Sequence, residues 1–373
     1  MARQGANKFL HKAKKAKSDE FYTQYVDIQK EVEAYLEYDP ETFRGKVVYC
    51  NCDDPFESNF FRYFILNFER IGLKRLITTS YKPSPVANTQ LGLFGDNETV
   101  QQEKGRPKIT ANKFIINSVG DIDGDGEFSL KDVALQLKQN KKNEWAPLES
   151  DGDFRGSESI ELLKQADFVI TNPPFSLFKE FIKQLVDYDK KFLIIANINA
   201  ITYKEVFPLI KKNKVWLGTG MGRWISGFIV PQSYELYGTE ARIDDDGNRI
   251  VATNNCLWFT NLDHGKRHQV LPLMTMSDNI KFSSHKDIKG VGYKKYDNFD
   301  AIEVPYTDSI PSDYDGAMGV PITFLDKYNP EQFEIIGCSY DYGRPDDWNN
   351  DIDMSVSVNG VNVYKRLIIK RKK

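Results

Sequence analysis

The chain has 373 residues, a formal net charge of −3, 40% hydrophobic residues and 28% charged residues. That length supports two or three domains with a sizeable core, and the near-neutral balance excludes a general polyanion binder, so any nucleic-acid contact must come from local patches. No apolar run reaches the roughly 18 residues of a membrane span, Met1 is followed by a basic stretch without an apolar core, and four scattered cysteines make no disulfide framework, so a soluble protein of the reducing cytoplasm is expected.

The first 17 residues carry Arg3, Lys8, Lys12, Lys14, Lys15 and Lys17 with no acid. This is either a solvated arm or a phosphate-binding one. Residues 45–52 then read as a buried strand that ends in Asp53-Asp54-Pro55-Phe56. Ser58 is placed to cap a helix reaching about residue 71, whose Phe60, Phe61, Phe64, Ile65 and Phe68 recur at helical spacing. A strand at 74–79 completes a strand–helix–strand unit and begins a parallel sheet.

Residues 81–112 are rich in Pro, Asn, Gln and Gly and read as a long excursion, the start of an insertion spanning 81–145. Inside it, Asp121, Asp123 and Asp125, Gly126, Glu127 and Asp132 match an EF-hand-like loop. Carboxylates fall at positions 1, 3, 5 and 12, with Gly at 6 and a backbone carbonyl from Glu127 at 7. Alternating oxygen ligands can wrap one hard cation, which makes structural Ca²⁺ a candidate; the competing reading is an Asp/Gly-rich turn that binds nothing. A zinc site is not expected, because Cys50 and Cys52 are separated by one residue and His264 and His268 have only Cys256 nearby.

Strand and helix patterns then alternate through strands at 113–116, 167–171, 191–196 and 215–218 and helices at 157–165, 177–187 and 203–212. Residues 223–262 read as hairpins around Asp246-Gly247, closing in the strand Cys256-Leu257-Trp258-Phe259-Thr260. Residues 263–373 hold many Pro, Asp, Asn and Tyr without a long periodic helix, so an irregular, loop-rich domain is expected there. The last nine residues carry Lys365, Arg366, Lys370, Arg371, Lys372 and Lys373 without an acid, and read as a second basic end.

Three strand ends carry chemistry. In open α/β sheets ligands bind beyond the carboxyl ends of the strands. Asp53 and Asp54 stand at one such end, without the glycine-rich loop of a dinucleotide site. Asp151-Gly152-Asp153-Phe154 sets a carboxylate beside an apolar ring, a pair suited to an adenine amino group and face, and equally to an ordinary loop. The run Asp167-Phe168-Val169-Ile170-Thr171 stops at Asn172-Pro173-Pro174-Phe175, because two prolines cannot continue a ladder. That turn offers an amide oxygen, a proline carbonyl and an aromatic face. An exocyclic amino group on a planar base needs these features.

Asn172-Pro173-Pro174-Phe175 resembles motif IV of amino-group DNA methyltransferases. The stretches KAKSDEFYTQ (15–24), VVYCNCDDP (47–55), GDFRGSESIEL (152–162), TNPPFSLF (171–178), KFLIIA (191–196), YELYGTEARI (234–243) and NCLWFTNL (255–262) resemble the EcoRI adenine-specific DNA methyltransferase family. The likeness extends over about residues 1–335, with the tail departing from the pattern.

The resemblance implies an α/β, Rossmann-like S-adenosylmethionine-dependent sheet of seven strands, one antiparallel. It also implies three segments: a basic arm with a cofactor motif (1–40), a catalytic domain (41–262) and an irregular α+β target-recognition region (263–373). It assigns Phe21, Tyr22 and Thr23 to the N-terminal cofactor motif, with Gln24 where the family has proline. Asp53, Asp54 and Pro55 fall in motif I, and Asp153 and Phe154 in the adenosine-contacting motif. The activity implied is site-specific adenine-N6 methylation of double-stranded DNA by a monomer, in a restriction–modification setting, with GAATTC as the suggested target. Within this picture Lys12, Lys14, Lys15 and Lys17 would hold phosphates, and Arg223, Trp224, Arg242 and Arg249 are candidates for reading sequence. RNA or protein-glutamine methylation, and an inactive DNA-binding protein on the same fold, are the competing functions.

Overall fold

The structure, a computed structural model, describes residues 22–53, 58–81, 111–126, 128–129, 132–133, 135, 142–220, 225–230, 236, 241–245, 247–251, 255–339 and 356–372. In chain order the first elements are β1 (Tyr22–Thr23), α1 (Tyr25–Tyr38), β2 (Val47–Cys50), α2 (Asn59–Leu66), β3 (Arg75–Thr79), β4 (Asn112–Ile116), β5 (Glu144–Pro147), α3 (Ser157–Gln165), β6 (Phe168–Thr171), α4 (Phe178–Asp187) and β7 (Lys191–Asn197). There follow α5 (Phe207–Lys211), β8 (Trp216–Leu217), β9 (Phe228–Val230), β10 (Arg242–Ile243), β11 (Arg249–Val251) and β12 (Cys256–Thr260). The chain divides into two compact units, Met1–Ile198 with Gly220–Leu262, and Asn199–Thr219 with Asp263–Lys373. Residues 199–219, read in sequence as continuing the catalytic alternation, therefore cluster with the C-terminal residues.

The first unit is a mixed α/β structure. Its large sheet runs β5-β4-β3-β2-β6-β7-β12. β2 pairs in parallel with β3 on one side and with β6 on the other, and β6 pairs in parallel with β7. These strands are buried along their length and rich in Val, Ile and Phe, as a sheet covered on both faces requires. Two of the named strands in this sheet oppose the others, where a single antiparallel strand was expected. β4 runs antiparallel to β3, and β12 antiparallel to β7. A smaller sheet, β1-β9-β11-β10, joins the start of the chain to the hairpin region.

α2 shows how local signals set an element. Ser58 caps it by accepting from the Phe61 N–H at 3.0 Å. Phe60, Phe61, Phe64 and Ile65 are then buried on its inner face. α1 has no counterpart in the sequence reading, because its inner stripe mixes Ile28 and Val32 with the buried acids Asp27 and Glu31. An apolar-period template misses such a stripe.

The second unit is more regular than its sequence suggests. Its main sheet combines β13 (Lys294–Lys295), β14 (Ala301–Glu303), β15 (Ala317–Pro321), β16 (Phe333–Cys338) and β19 (Arg366–Arg371) in the order β13-β14-β15-β19-β16. A separate hairpin pairs β17 (Ser357–Val358) with β18 (Val361–Asn362). β19 corrects the reading of a solvated basic end. It lies between β15 and β16, with Leu367, Ile368 and Ile369 fully buried. Arg366 is neutralised by Glu303, with Nη2 to Oε1 at 2.6 Å, and Lys370 alternates outward. Charges on alternate and flanking positions hide a three-residue apolar core from a composition count. No helix among the described residues is long and apolar enough to cross a membrane.

Because β19 is a core strand, Ile368→Ala should destabilise the protein by about 2–4 kcal/mol, whereas Lys370→Ala should stay within about 0.5 kcal/mol. Denaturant titration of both variants checks this; equal effects would contradict a buried β19.

Candidate active site

β3 lies on one side of β2 and β6 on the other, so the strand order switches direction at the β2/β6 pair. In open α/β sheets the crevice at such a switch point binds the ligand. The register Val48↔Phe168 and Tyr49↔Val169 puts the exits of β2 and β6 side by side. The Thr171 hydroxyl donates to the Asn51 carbonyl and ties the two exits together. Asn51, Cys52 and Asp53 on one exit thus lie beside Asn172-Pro173-Pro174-Phe175 on the other, although nearly 120 residues separate them in sequence.

The β2 exit is tightly held. Asp53 N donates to the Thr79 carbonyl at 3.1 Å, and the Thr78 hydroxyl donates to the Asp53 carbonyl at 3.3 Å. The Asp53 carboxylate accepts from the Ser58 hydroxyl at the start of α2. Cys52 takes a left-handed backbone with φ of +61°. Such a conformation costs a non-glycine residue about 1–3 kcal/mol and collects at functional sites. The free thiol of Cys50, buried in the sheet, is pushed well above the ordinary thiol range by its burial, so it is an inert core group.

The rim continues through β3 and β4. Ser80 and Asn112 exchange hydrogen bonds of 2.9 Å, and the Leu148 N–H donates to the Ala111 carbonyl at 2.8 Å. Gly152, with φ of +80°, seats the acidic turn on this rim. A Cβ there would lie 2.0 Å from the Ser80 carbonyl oxygen, so only glycine permits the approach. In the same turn the Asp153 carboxylate is gripped by Arg155, with Nη2 to Oδ2 at 2.7 Å and Nε to Oδ1 at 3.0 Å. This guanidinium holds the Asp153 carboxyl below its usual range. Phe154 is buried, packing edge-on against Phe181 with ring centroids 5.0 Å apart, and Arg155 lies 5.4 Å from its ring centroid. Asp153 and Phe154 therefore both have partners that anchor the turn to the protein.

On the opposite exit, Pro173 is buried and the Leu177 N–H donates to the Pro174 carbonyl at 3.0 Å, closing the turn that leads into α4. Phe175 is half-buried, and its ring meets Phe228 of β9 at 6.3 Å in an edge-on contact. Phe228 is in turn paired with Thr23 of β1. The Thr23 carbonyl accepts from the Asn59 side chain at 2.8 Å, which fastens β1 to α2. Tyr22, Thr23, Asp53, Asp153 and the 172–175 turn are thus gathered within one unit. The sequence reading omitted Asn51, Ser226 and Phe228 from the site. Asn51 stands inside the VVYCNCDDP stretch (47–55), whereas nothing in the local pattern marks Ser226 or Phe228.

Phe21, Asp54, Pro55, Lys12, Lys14, Lys15, Lys17, Arg223 and Trp224 lie outside the described residues, as does Glu127. Arg242 is exposed and donates to the Ser226 carbonyl at 3.2 Å, and Arg249 is half-buried in β11. In the insertion, Asp121, Asp123 and Asp132 bring one oxygen each within 4.8 Å of the others. The Asp132 carboxylate accepts from the N–H groups of Ile122, Ser129 and Asp123, the first at 2.7 Å. These bonds, Ile122 foremost, hold its carboxyl at about 2. Asp125 contributes its N–H to Asp123 Oδ1 at 3.2 Å.

Comparison with known proteins decides what this site belongs to. The family model described as adenine-specific methyltransferase EcoRI matches residues 9–372. The chain belongs to this family. It is 50% identical over 375 residues to the type II methyltransferase M.EcoRI of Escherichia coli, covering 100% of this chain and 99% of that protein. It is 34% identical over 332 residues to the type II methyltransferase M.MpnI of Mycoplasma pneumoniae, covering 88% of this chain and 85% of that one. No solved structure matches. The match through residue 372 corrects the expectation that the likeness fades near residue 335. As a member of the EcoRI methyltransferase family, the chain is an adenine-specific methyltransferase, with S-adenosylmethionine as the methyl donor this membership implies.

The residues present fit that donor. Thr23 Oγ1 and Asn51 Oδ1 are buried polar atoms with no hydrogen-bond partner in the protein, and buried polar atoms of this kind call for a ligand or water. Gly152→Ala, which forces a Cβ onto the Ser80 carbonyl, should lower stability by roughly 2–3 kcal/mol and weaken S-adenosylmethionine binding about tenfold or more. Calorimetry with the cofactor and a thermal melt check this; wild-type affinity would show that the rim is not part of the cofactor site.

Proposed function

We propose that the protein methylates the exocyclic N6 of an adenine in double-stranded DNA, at a specific site, as the modifying half of a restriction–modification system. The observation that carries this reading is the β2/β6 pairing, which sets the Asn51-Cys52-Asp53 exit against the Asn172-Pro173-Pro174-Phe175 turn. One exit suits a cofactor and the adjacent one suits a base amine.

Tyr22, Thr23, Asp53 and the adjoining Asp54 and Pro55 hold the cofactor, with Phe21 completing the N-terminal motif. The Asp153-Phe154 turn closes the pocket through its backbone, with Phe154 anchored on Phe181. Bound S-adenosylmethionine supplies an electrophilic sulfonium methyl. The adenine amine is a weak nucleophile, because its lone pair is delocalised into the ring. The Asn172 side-chain oxygen and the Pro173 carbonyl accept its two N–H groups, draw the nitrogen toward tetrahedral geometry and direct its lone pair. Phe175 stacks on the base, which must leave the duplex to reach the turn. Asn172, Pro173, Pro174 and Phe175 act by positioning, which supplies much of the barrier reduction in such a displacement.

The basic arm with Lys12, Lys14, Lys15 and Lys17 adds phosphate contacts and salt dependence. Arg223, Arg242 and the region 263–373 supply sequence choice, with GAATTC as the proposed target, and the working form is a monomer.

The insertion has its own role. Asp121, Asp123, Asp125, Glu127 and Asp132 would hold a structural Ca²⁺ that staples the loop, and the oxygens of Asp121, Asp123 and Asp132 within 4.8 Å of one another support this. Asp123 supports this. Its carboxyl is raised despite the N–H of Asp125, by desolvation and by the neighbouring carboxylates of Asp125, Asp132 and Asp121. A cation would relieve that repulsion.

Modification-sensitive sequencing of DNA from a host expressing the protein should reveal N6-methyladenine in one sequence context. Asn172→Ala should abolish the mark while leaving DNA affinity within about threefold, because phosphate contacts dominate affinity. Methylation by the variant at near wild-type rate would refute the role of Asn172. Calorimetry with Ca²⁺ up to the millimolar range of weak EF-hand-type sites should show one binding event that Asp123→Ala removes. No heat, together with an unchanged melting temperature in the variant, would refute the cation site.

A further inference from the structure

Gln24 occupies the position where the family motif carries proline, and the structure gives this departure a purpose. Gln24 precedes α1 but makes no capping bond with its side chain. Its amide instead donates to the Ser226 hydroxyl at 2.7 Å and to the Gly227 carbonyl at 2.9 Å, across more than 200 residues of sequence. Proline has no amide to send there. One turn further on, Asp27 is fully buried. Its Oδ2 accepts from the Ser226 N–H and from the Ser226 hydroxyl, both at 2.9 Å. The Ser226 hydroxyl therefore accepts from Gln24 while donating to Asp27, and both of its roles are used.

Asp27 is a costly residue to bury. Its second oxygen, Oδ1, is enclosed and has no hydrogen-bond partner, and burial raises its carboxyl above the usual range. Its desolvation is offset only in part by the bonds its other oxygen makes. What Asp27 does provide is a directional hold on one corner. Ser226 and Gly227 lead straight into β9, where Phe228 pairs with Thr23 and its ring contacts Phe175.

We propose that Gln24 and Asp27 are positioning residues. They clamp the Ser226-Gly227 corner so that Phe228 holds the Phe175 ring at a set distance from the cofactor-motif strand β1. The proposal rests on the catalytic reading above, in which Phe175 stacks on the target adenine and Thr23 lies against the cofactor. Without the clamp, β9 can shift along or away from β1, and Phe175 loses its backing. Both substrates would still bind, but the amine and the methyl group would be misaligned, and errors of about an ångström cost up to about a hundredfold in rate.

The test is single-turnover methylation of a duplex carrying one target adenine, at saturating S-adenosylmethionine, with cofactor affinity measured by calorimetry on the same preparations. Asp27→Ala and Ser226→Ala should slow transfer about tenfold or more while leaving the cofactor Kd within about threefold, the split expected when alignment rather than binding is lost. Asp27→Asn keeps an oxygen for Ser226 and should stay within about threefold of the wild-type rate. A merely structural role would lower the melting temperature of all three variants without this split. The proposal is overturned if both Ala variants transfer at the wild-type rate, or if the rate loss follows cofactor Kd across the set. Ser226→Ala removes only a half-buried hydroxyl and decides the question should Asp27→Ala not fold. Wild-type protein that leaves the adenine unmethylated would sink the catalytic reading itself, a result distinct from wild-type activity with indifferent variants.

Discussion

Two register pairs, Val48 with Phe168 and Tyr49 with Val169, carry the organisation of the catalytic unit. β2 and β6 lie far apart in the chain. Their parallel pairing turns two unremarkable strand ends into one crevice, and the Thr171 hydroxyl on the Asn51 carbonyl closes the junction at the point where the strands finish. A slip of one residue would exchange the faces of every side chain on β6. The close packing of the fully buried Val48, Val169 and Ile170 and the Thr171–Asn51 bond hold the register against that slip. The position of Asn172 relative to Asp53 is therefore a consequence of core packing.

Around this junction the protein tolerates several local costs. Cys52 sits in a left-handed backbone, Thr23 and Asn51 bury polar atoms that no protein group satisfies, and Asp27 buries a carboxylate with one oxygen unbonded. Each runs against stability taken alone. At a site that holds geometry for chemistry such costs are expected. The apolar stock that offsets them is nearby: Phe60, Phe61, Phe64 and Trp258 form a fully buried aromatic group, with Phe60 and Trp258 edge-on at 6.0 Å.

Much of the first unit is legible from residue order because its signals are local. Ser58 before an apolar helical stripe, the β-branched runs of β2, β6 and β7, and two prolines after Thr171 each act within one turn or strand. The 157–165 helix and the 168–171 strand appear where their patterns place them. The motif residues are legible because family resemblance preserves them. The second unit is harder to read. β14 is short and pairs with β15 across 16 positions, and β15 pairs with β19 across 45 to 51. The apolar centre of β19 is flanked by Lys365, Arg366, Lys370 and Arg371, so composition suggests a solvated end. The charge of Arg366 is taken up by Glu303, which lies 63 positions earlier in the chain.

Residue order thus specified the elements, the turn that carries Asn172 and the family to which the chain belongs, because caps, prolines and apolar periods act over a few residues. Folding in three dimensions settled which strand ends meet, that Phe154 serves as an anchor, and that Gln24 and Asp27 reach Ser226. It also made a basic tail the inner strand of a sheet. These outcomes depend on pairings between residues far apart in the chain. Their energies come from register, burial and directional hydrogen bonds that form only once the partners are brought together.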